Sequence, residues 1–316
     1  MTRWSTLLLD DASLAQMPEL PVDHVLRHAD LVTAQQPKPQ ALYERWEKQQ
    51  WNAQAIDLEQ DRLDYEKRLP PRRPQGAGGV HRHLHHRRVH RPRPARTDPH
   101  RRPPEEIDHL YLGTQIADET RHTQLMLRLG EEVLGLDPDP KRMLVQAWNM
   151  CTPPHRALSR LETEIIREIQ HRPSDYEAWL RTVALFHLIS EGVLALVGQR
   201  AIVRSLHDIP MLPGVKAGFT AMCRDESRHV SFGLHALRQG VREGYTEAIC
   251  DVIEQAAPLA LRIEEGGAVE DAPEGTSMRD LGIDSLRRQL RLIGVDDVFA
   301  EHVVGLVTRP APAEGH

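Results

Sequence analysis

Asp118-Glu119-Thr120-Arg121-His122 recurs further along the chain as Asp225-Glu226-Ser227-Arg228-His229. Each copy sits in a long segment with helical apolar spacing, which puts its Glu and its His at i and i+3 on one helix face. A carboxylate and an imidazole in that register suit a metal ion. A single Glu-x-x-His is more often a solvated helix face. Two copies with matching flanks, both within apolar helix, point instead to two helices facing each other across a dinuclear centre inside a helical bundle.

Outward from these motifs, the chain reads as all-α. It has 316 residues, 40% of them apolar but only 4% aromatic, and few stretches alternate as strands do. The spacing predicts a helix over 105–135 carrying Glu119 and His122, helices over 141–151 and 154–171, and a very apolar helix over 176–204. Further helices are expected over 213–243, with Glu226 and His229, and over 245–264 and 277–294. Glu191 stands in the middle of the apolar helix, where an unpaired carboxylate would cost several kcal/mol; metal ligation is the better reading. His235 reads as a packed or surface histidine. From Pro39 to Trp51 an aromatic-sided helix carries Tyr43 and Trp46, read as core packing, and Asp57 caps a further turn toward Tyr65.

Residues 71–104 break this pattern, with ten arginines, six histidines and seven prolines against one aspartate. Interior prolines cost a helix about 3 kcal/mol each. A polyanion-binding insert, a His-rich metal tract and translation in a shifted reading frame all compete; the shifted frame is favoured. Shifted by one base, plausible codons give an apolar helix with a glutamate where Arg88 now stands. That is where a bundle would place its first single carboxylate, and the chain as written lacks it.

The organisation expected is an N-terminal arm (1–37), a bundle (38–264, containing the aberrant 71–104) and a C-terminal peripheral helix with a tail (265–316). The net charge of −6 conceals the basic block, so the rest is more acidic still, which argues against nucleic-acid binding. Three cysteines, Cys151, Cys223 and Cys250, form no CxxC pair, and no uninterrupted apolar run spans a bilayer. A cytoplasmic protein with neither membrane nor nucleic-acid partner is expected.

Over roughly residues 38 to 243 the chain resembles the radical-generating small (beta) subunit of class I ribonucleotide reductase and its relatives, the ligand-binding di-metal oxidases. The resemblance is carried by Trp51, Ile56 to Tyr65, Ala117 to His122, Ser190-Glu191-Gly192 and Arg224 to His229. It implies a ferritin-like bundle holding two metal ions, Fe/Fe or Mn/Fe, on Glu119, His122, Glu191, Glu226 and His229. It also implies dioxygen as a reactant and an electron route from Trp51 through Asp225 to His122. A homodimer, a reductase large subunit and deoxyribonucleotide biosynthesis would follow from the reductase branch. Several features depart from the pattern. Met126 replaces the radical tyrosine, Tyr245 is the last tyrosine, Phe186 stands where the ligand-binding oxidases have a cross-linking tyrosine, and Met222 where arylamine oxygenases add a histidine. The expected function is a dioxygen-activating di-metal oxidoreductase. The alternatives are an oxygenase or ligand-binding oxidase acting on an organic substrate, and a non-catalytic remnant lacking its first carboxylate.

Overall fold

The computed structural model describes residues 8–68, 106–264 and 277–308. Residues 71–104, and with them the reading-frame expectation and Arg88, lie outside the described residues. The fold is 82% helical, with no strand among the described residues. After a turn of helix at Leu8–Asp11 come α1 (Val22–Ala34), α2 (Pro39–Lys48) and α3 (Glu59–Arg68). Helix α4 (Glu106–Arg128) ends in a wide π turn, Leu129–Val133, and is followed by α5 (Pro140–Asn149) and α6 (Pro153–His171). The long α7 (Tyr176–His207), α8 (Pro213–Arg242), α9 (Thr246–Leu261), α10 (Met278–Ile293) and α11 (Asp297–Thr308) complete the chain.

Local sequence sets these boundaries. Pro140 and Pro153 open α5 and α6, where a missing N–H costs nothing. The side chains of Asp139, Thr152, Asp175 and Ser277 accept from the first free N–H groups of α5, α6, α7 and α10. The start of α8 is capped from a distance. Asp61 of α3 accepts from Gly214 N (2.9 Å) and Val215 N (2.7 Å), and Asp64 accepts from Leu212 N (2.9 Å). Gly214 has to be glycine, because a Cβ there would come 2.6 Å from the Asp57 carbonyl oxygen.

Helix α8 is the axis of the bundle, with residues 217–234 buried without a break. Two apolar clusters pack around it. One gathers Trp179, Leu188, Phe232, Val230 and Tyr111; the other gathers Leu125, Phe219, Met222, Ile202 and Trp51. Each large side chain so buried contributes about 1.5–3 kcal/mol. Along α4 and α8 the buried polar residues fall between these clusters, within Gln115 to His122 and Arg224 to His229, as does Gln199 on α7, whereas Glu191 sits inside the first cluster between Ile189 and Val193. The site is therefore a polar belt closed by apolar packing at both ends.

The middle of α7 departs from α geometry. Ala184–Ala195 is wound as a π-helix, and Leu196 N–H donates to the Glu191 carbonyl five residues back. Such widening occurs often at functional sites. Ser285 Oγ of α10 donates to the Gly192 carbonyl (3.0 Å), and a Cβ on Gly192 would strike Gln289. By length and composition α7 could cross a membrane, although Glu191 interrupts its apolar run. Yet 89% of its apolar window is buried inside the bundle, so the helix is its core.

Candidate metal centre

Helix periodicity brings Glu119 and His122 of α4 to face Glu226 and His229 of α8, and the π-wound stretch of α7 delivers Glu191. All five are at most 2% exposed. Glu119, Glu191, Glu226 and His229 offer ligand atoms that all lie within 4.8 Å of one another. His229 Nδ1 is 3.3 Å from Glu226 Oε2, 3.5 Å from Glu191 Oε1 and 3.7 Å from Glu119 Oε1. His122 stands on the other side of Glu119, its Nδ1 3.6 Å from the same Oε1. One oxygen of Glu119 is thus within 3.7 Å of both imidazoles, and could be shared by two ions.

Each imidazole turns its other nitrogen to an aspartate. His122 Nε2 is 2.8 Å from Asp225 Oδ2, and His229 Nε2 is 3.2 Å from Asp118 Oδ2. A carboxylate only accepts, so Nε2 carries the proton and Nδ1 faces the cluster. The aspartates are held in turn. Arg228, fully buried, donates to Asp118 Oδ2 (2.8 Å) and Asp225 Oδ1 (2.7 Å) and also bonds Gln49. Trp51 Nε1 donates to Asp225 Oδ2 (2.8 Å) and Trp46 Nε1 to Asp118 Oδ1 (3.0 Å). The Trp51 ring also stacks on His122, centroids 6.1 Å apart, beneath the Arg121 guanidinium at 5.3 Å.

Electrostatics follow from this wiring. Burial pushes the Asp225 carboxyl up, but Arg228, His122 and Arg224 outweigh it and hold it well below the usual range. Asp118 is raised by burial and by Asp225, and Arg228 and His229 bring it below its ordinary value. Burial opposes a charge on His229, yet Glu191 and Asp118 lift it well above the ordinary imidazole value. The field that favours a cationic imidazole also favours a metal cation among these carboxylates. Gln115 Nε2 donates to Glu191 Oε1 (3.0 Å) and Gln199 Nε2 to Glu226 Oε1 (3.3 Å), which orients both glutamates.

The donor set fits divalent ions. Oxygen and nitrogen atoms bound to one ion at about 2.0–2.2 Å stand some 3 to 3.6 Å apart, close to the separations found here. Carboxylate with imidazole suits iron and manganese. A further sign is Tyr111, fully buried beside the charges of His229, Arg228, Asp118 and Glu191, with a hydroxyl that has no hydrogen-bond partner among the described residues. Burial raises its phenol, and an orphaned buried hydroxyl costs about 1–3 kcal/mol unless a ligand or water meets it.

Sequence reasoning left several of these residues without a role. Arg228 and Asp118 were quoted within the motifs, and the repetition of Asp and Arg in both copies was the available signal. Trp46 was read as packing, and Gln115 one turn before Glu119 gave no signal of its own. At the positions where relatives have other chemistry, Met126, Phe186 and Met222 are buried apolar side chains.

The fold is a ferritin-like helical bundle, with buried carboxylates and histidines gathered between its helices. No protein-family profile matches the sequence. Among solved structures, the chain has the fold of the R2-like ligand-binding oxidases, relatives of the reductase small subunit. It is similar to the Sulfolobus acidocaldarius enzyme, at 17% identity and TM-score 0.64, over 84% of this chain and 93% of that one. A tyrosine-to-phenylalanine variant of an R2-like ligand-binding oxidase, with an aerobically reconstituted Mn/Fe cofactor, aligns at 19% identity and TM-score 0.61 over 86% of this chain and 91% of that one. A glutamate-to-aspartate variant, also with Mn/Fe, aligns at 20% identity and TM-score 0.60, with the same coverage.

Proposed function

We propose that this protein is a di-metal oxidase that uses dioxygen, with Mn/Fe or Fe/Fe held by Glu119, His122, Glu191, Glu226 and His229. The observation that carries the reading is the buried convergence of three glutamates and a histidine within 4.8 Å, with His122 3.6 Å from the shared Glu119 oxygen. The Mn/Fe cofactors of the structural neighbours support the choice of metals. Two such ions, once bound, would supply dioxygen, at one place, with two of the four electrons its reduction needs.

The chain's own residues do the rest. Asp225 and Asp118 fix the tautomers of His122 and His229 so that both Nδ1 atoms face the cluster. Gln115 and Gln199 hold glutamate oxygens in place, and the apolar clusters on either side keep bulk water out. Trp51, joined to His122 through one oxygen of Asp225, is the route by which an electron reaches the centre. Of the two branches of the resemblance, oxidation of an organic substrate is favoured over radical supply to a reductase. Met126 stands at the radical-tyrosine position. A water-soluble protein of a reducing compartment completes this reading.

Titration of metal-free protein with Fe(II) and Mn(II), followed by elemental analysis, tests it: about two ions per chain should be retained, and the Fe(II)-loaded form should consume dioxygen. Retention of no ions would refute the reading. Retention of a single ion would favour the remnant that lacks its first carboxylate.

A further inference from the structure

The two halves of the site mirror each other down to their tryptophans, but the tryptophans differ in surroundings. Trp51 is 8% exposed and lies under the Arg121 cation. Trp46 is half-buried and packs at 6.0 Å, tilted by 35°, against Tyr43, one turn earlier on α2. The Tyr43 hydroxyl donates to Glu47 Oε1 at 2.7 Å, at the exposed surface. From the cluster outward the series runs from His229 to Asp118 (3.2 Å), to the Trp46 indole (3.0 Å), to Tyr43 and to Glu47.

We propose that Trp46 and Tyr43 form an escape path that carries an unused oxidising equivalent from the metal centre to the protein surface. The proposal rests on the di-metal reading above. Removing an electron from an indole leaves a positive ring. A carboxylate favours that charge at each indole, Asp225 at Trp51 and Asp118 at Trp46, and Arg121 stands near both, 5.3 Å from the Trp51 ring and 2.9 Å from Asp118 Oδ1; what sets Trp46 apart is the Tyr43 ring 6.0 Å further out. A phenol must lose its proton as it loses its electron, and the Glu47 carboxylate is placed to take it.

The electron count closes. Dioxygen needs four electrons and four protons to become two waters. Two divalent ions that each give up one electron supply half, and an organic substrate oxidised by two electrons supplies the rest. Without substrate, two equivalents remain at the centre. Each is cancelled when Trp46 passes one electron inward. Tyr43 then refills Trp46 and gives its phenolic proton to Glu47, ending as a neutral phenoxyl. A soluble thiol or ascorbate-type reductant returns one electron and one proton to Tyr43, and the path is ready for the second equivalent.

The test uses the full chain loaded with Fe(II) alone or with Mn(II) and Fe(II), mixed with oxygenated buffer without organic substrate and freeze-quenched for electron paramagnetic resonance. A neutral tyrosyl signal is expected in the wild type and should vanish in Tyr43→Phe, which touches no proposed ligand. It should vanish in Trp46→Phe as well. Peptide mass spectrometry should find added oxygen at Tyr43 and Trp46 of the wild type. A tyrosyl radical that persists in Tyr43→Phe would overturn the proposal, as would oxygen consumption by fully loaded protein with neither radical nor added oxygen at these residues. Metal content separates the two claims: a chain that retains no ions sinks both, whereas a loaded chain lacking these signals sinks only the escape path.

Discussion

Asp225 lies 2.8 Å from the histidine of the other motif, His122, and Asp118 makes the reciprocal contact with His229 at 3.2 Å. The repeat Asp-Glu-x-Arg-His is therefore a cross-brace, in which the aspartate of each copy holds the histidine proposed as a ligand in the other.

Loss of either brace should weaken metal binding without removing a ligand. Asp225→Asn and Asp118→Asn should each lower metal affinity about ten- to a hundredfold, the usual cost of losing a histidine's carboxylate partner. Chelator-competition titration measures this, and unchanged affinity in both variants would contradict the brace.

Arg228 is the only cation that both aspartates touch at 2.8 Å or less among the described residues. Arg228→Leu leaves two buried carboxylates facing each other and should cost about 3–5 kcal/mol in urea denaturation. Arg62 also bridges two acids, Glu59 and Glu66, but at the surface, so Arg62→Leu should leave stability almost unchanged. Similar costs for the two would mean that the Arg228 pairs are as solvated as those of Arg62.

Two glycines should respond with opposite signs. A Cβ on Gly233 would fall 2.1 Å from His187 Cβ, where α8 crosses α7. Gly233→Ala should destabilise by about 1–3 kcal/mol. Gly113 on α4 is exposed, with nothing within 4 Å of its added Cβ, and Gly113→Ala should stabilise by about 0.5–1 kcal/mol through helix propensity. Thermal melts of the metal-free proteins decide both.

Asp10 ties the N-terminal segment down through His28 (2.8 Å), Gln49 (2.9 Å) and Arg45 (3.3 Å). Burial raises its carboxyl, but His28, Arg45 and Gln49 together bring it below the ordinary value. Because the folded value lies below the unfolded one of about 3.9, the stabilisation is present above that pH and disappears as pH falls through the depressed value. Asp10→Asn should therefore cost about 1.5–3 kcal/mol near neutral pH, converging with wild type in strong acid. A penalty independent of pH would contradict the sign.

The helices of the bundle were legible because apolar spacing over 105–135, 176–204 and 213–243 is long and regular. So was the core of the site, because an acid in an apolar helix, Glu191, and a repeated Glu-x-x-His are both costly without a cation. The π winding of Ala184–Ala195 was not legible, since it depends on contacts such as Ser285 with Gly192 that join distant parts of the chain. Trp46 looked like packing because its partner, Asp118, is remote in sequence. Helix α11 escaped notice because β-branched valines and Gly305, poor helix formers, fill much of it. The hydrogen bonds from Arg224 to the carbonyls of Leu9 and Ala12 had no motif to announce them.

Anomalous diffraction from crystals of the metal-loaded protein, recorded at the iron and manganese edges, tests the central claim most directly. The account predicts two peaks within bonding distance of Glu119, His122, Glu191, Glu226 and His229, with Glu119 between them. Metal peaks only elsewhere on the molecule, or none at all from protein that had been offered both ions, would contradict it.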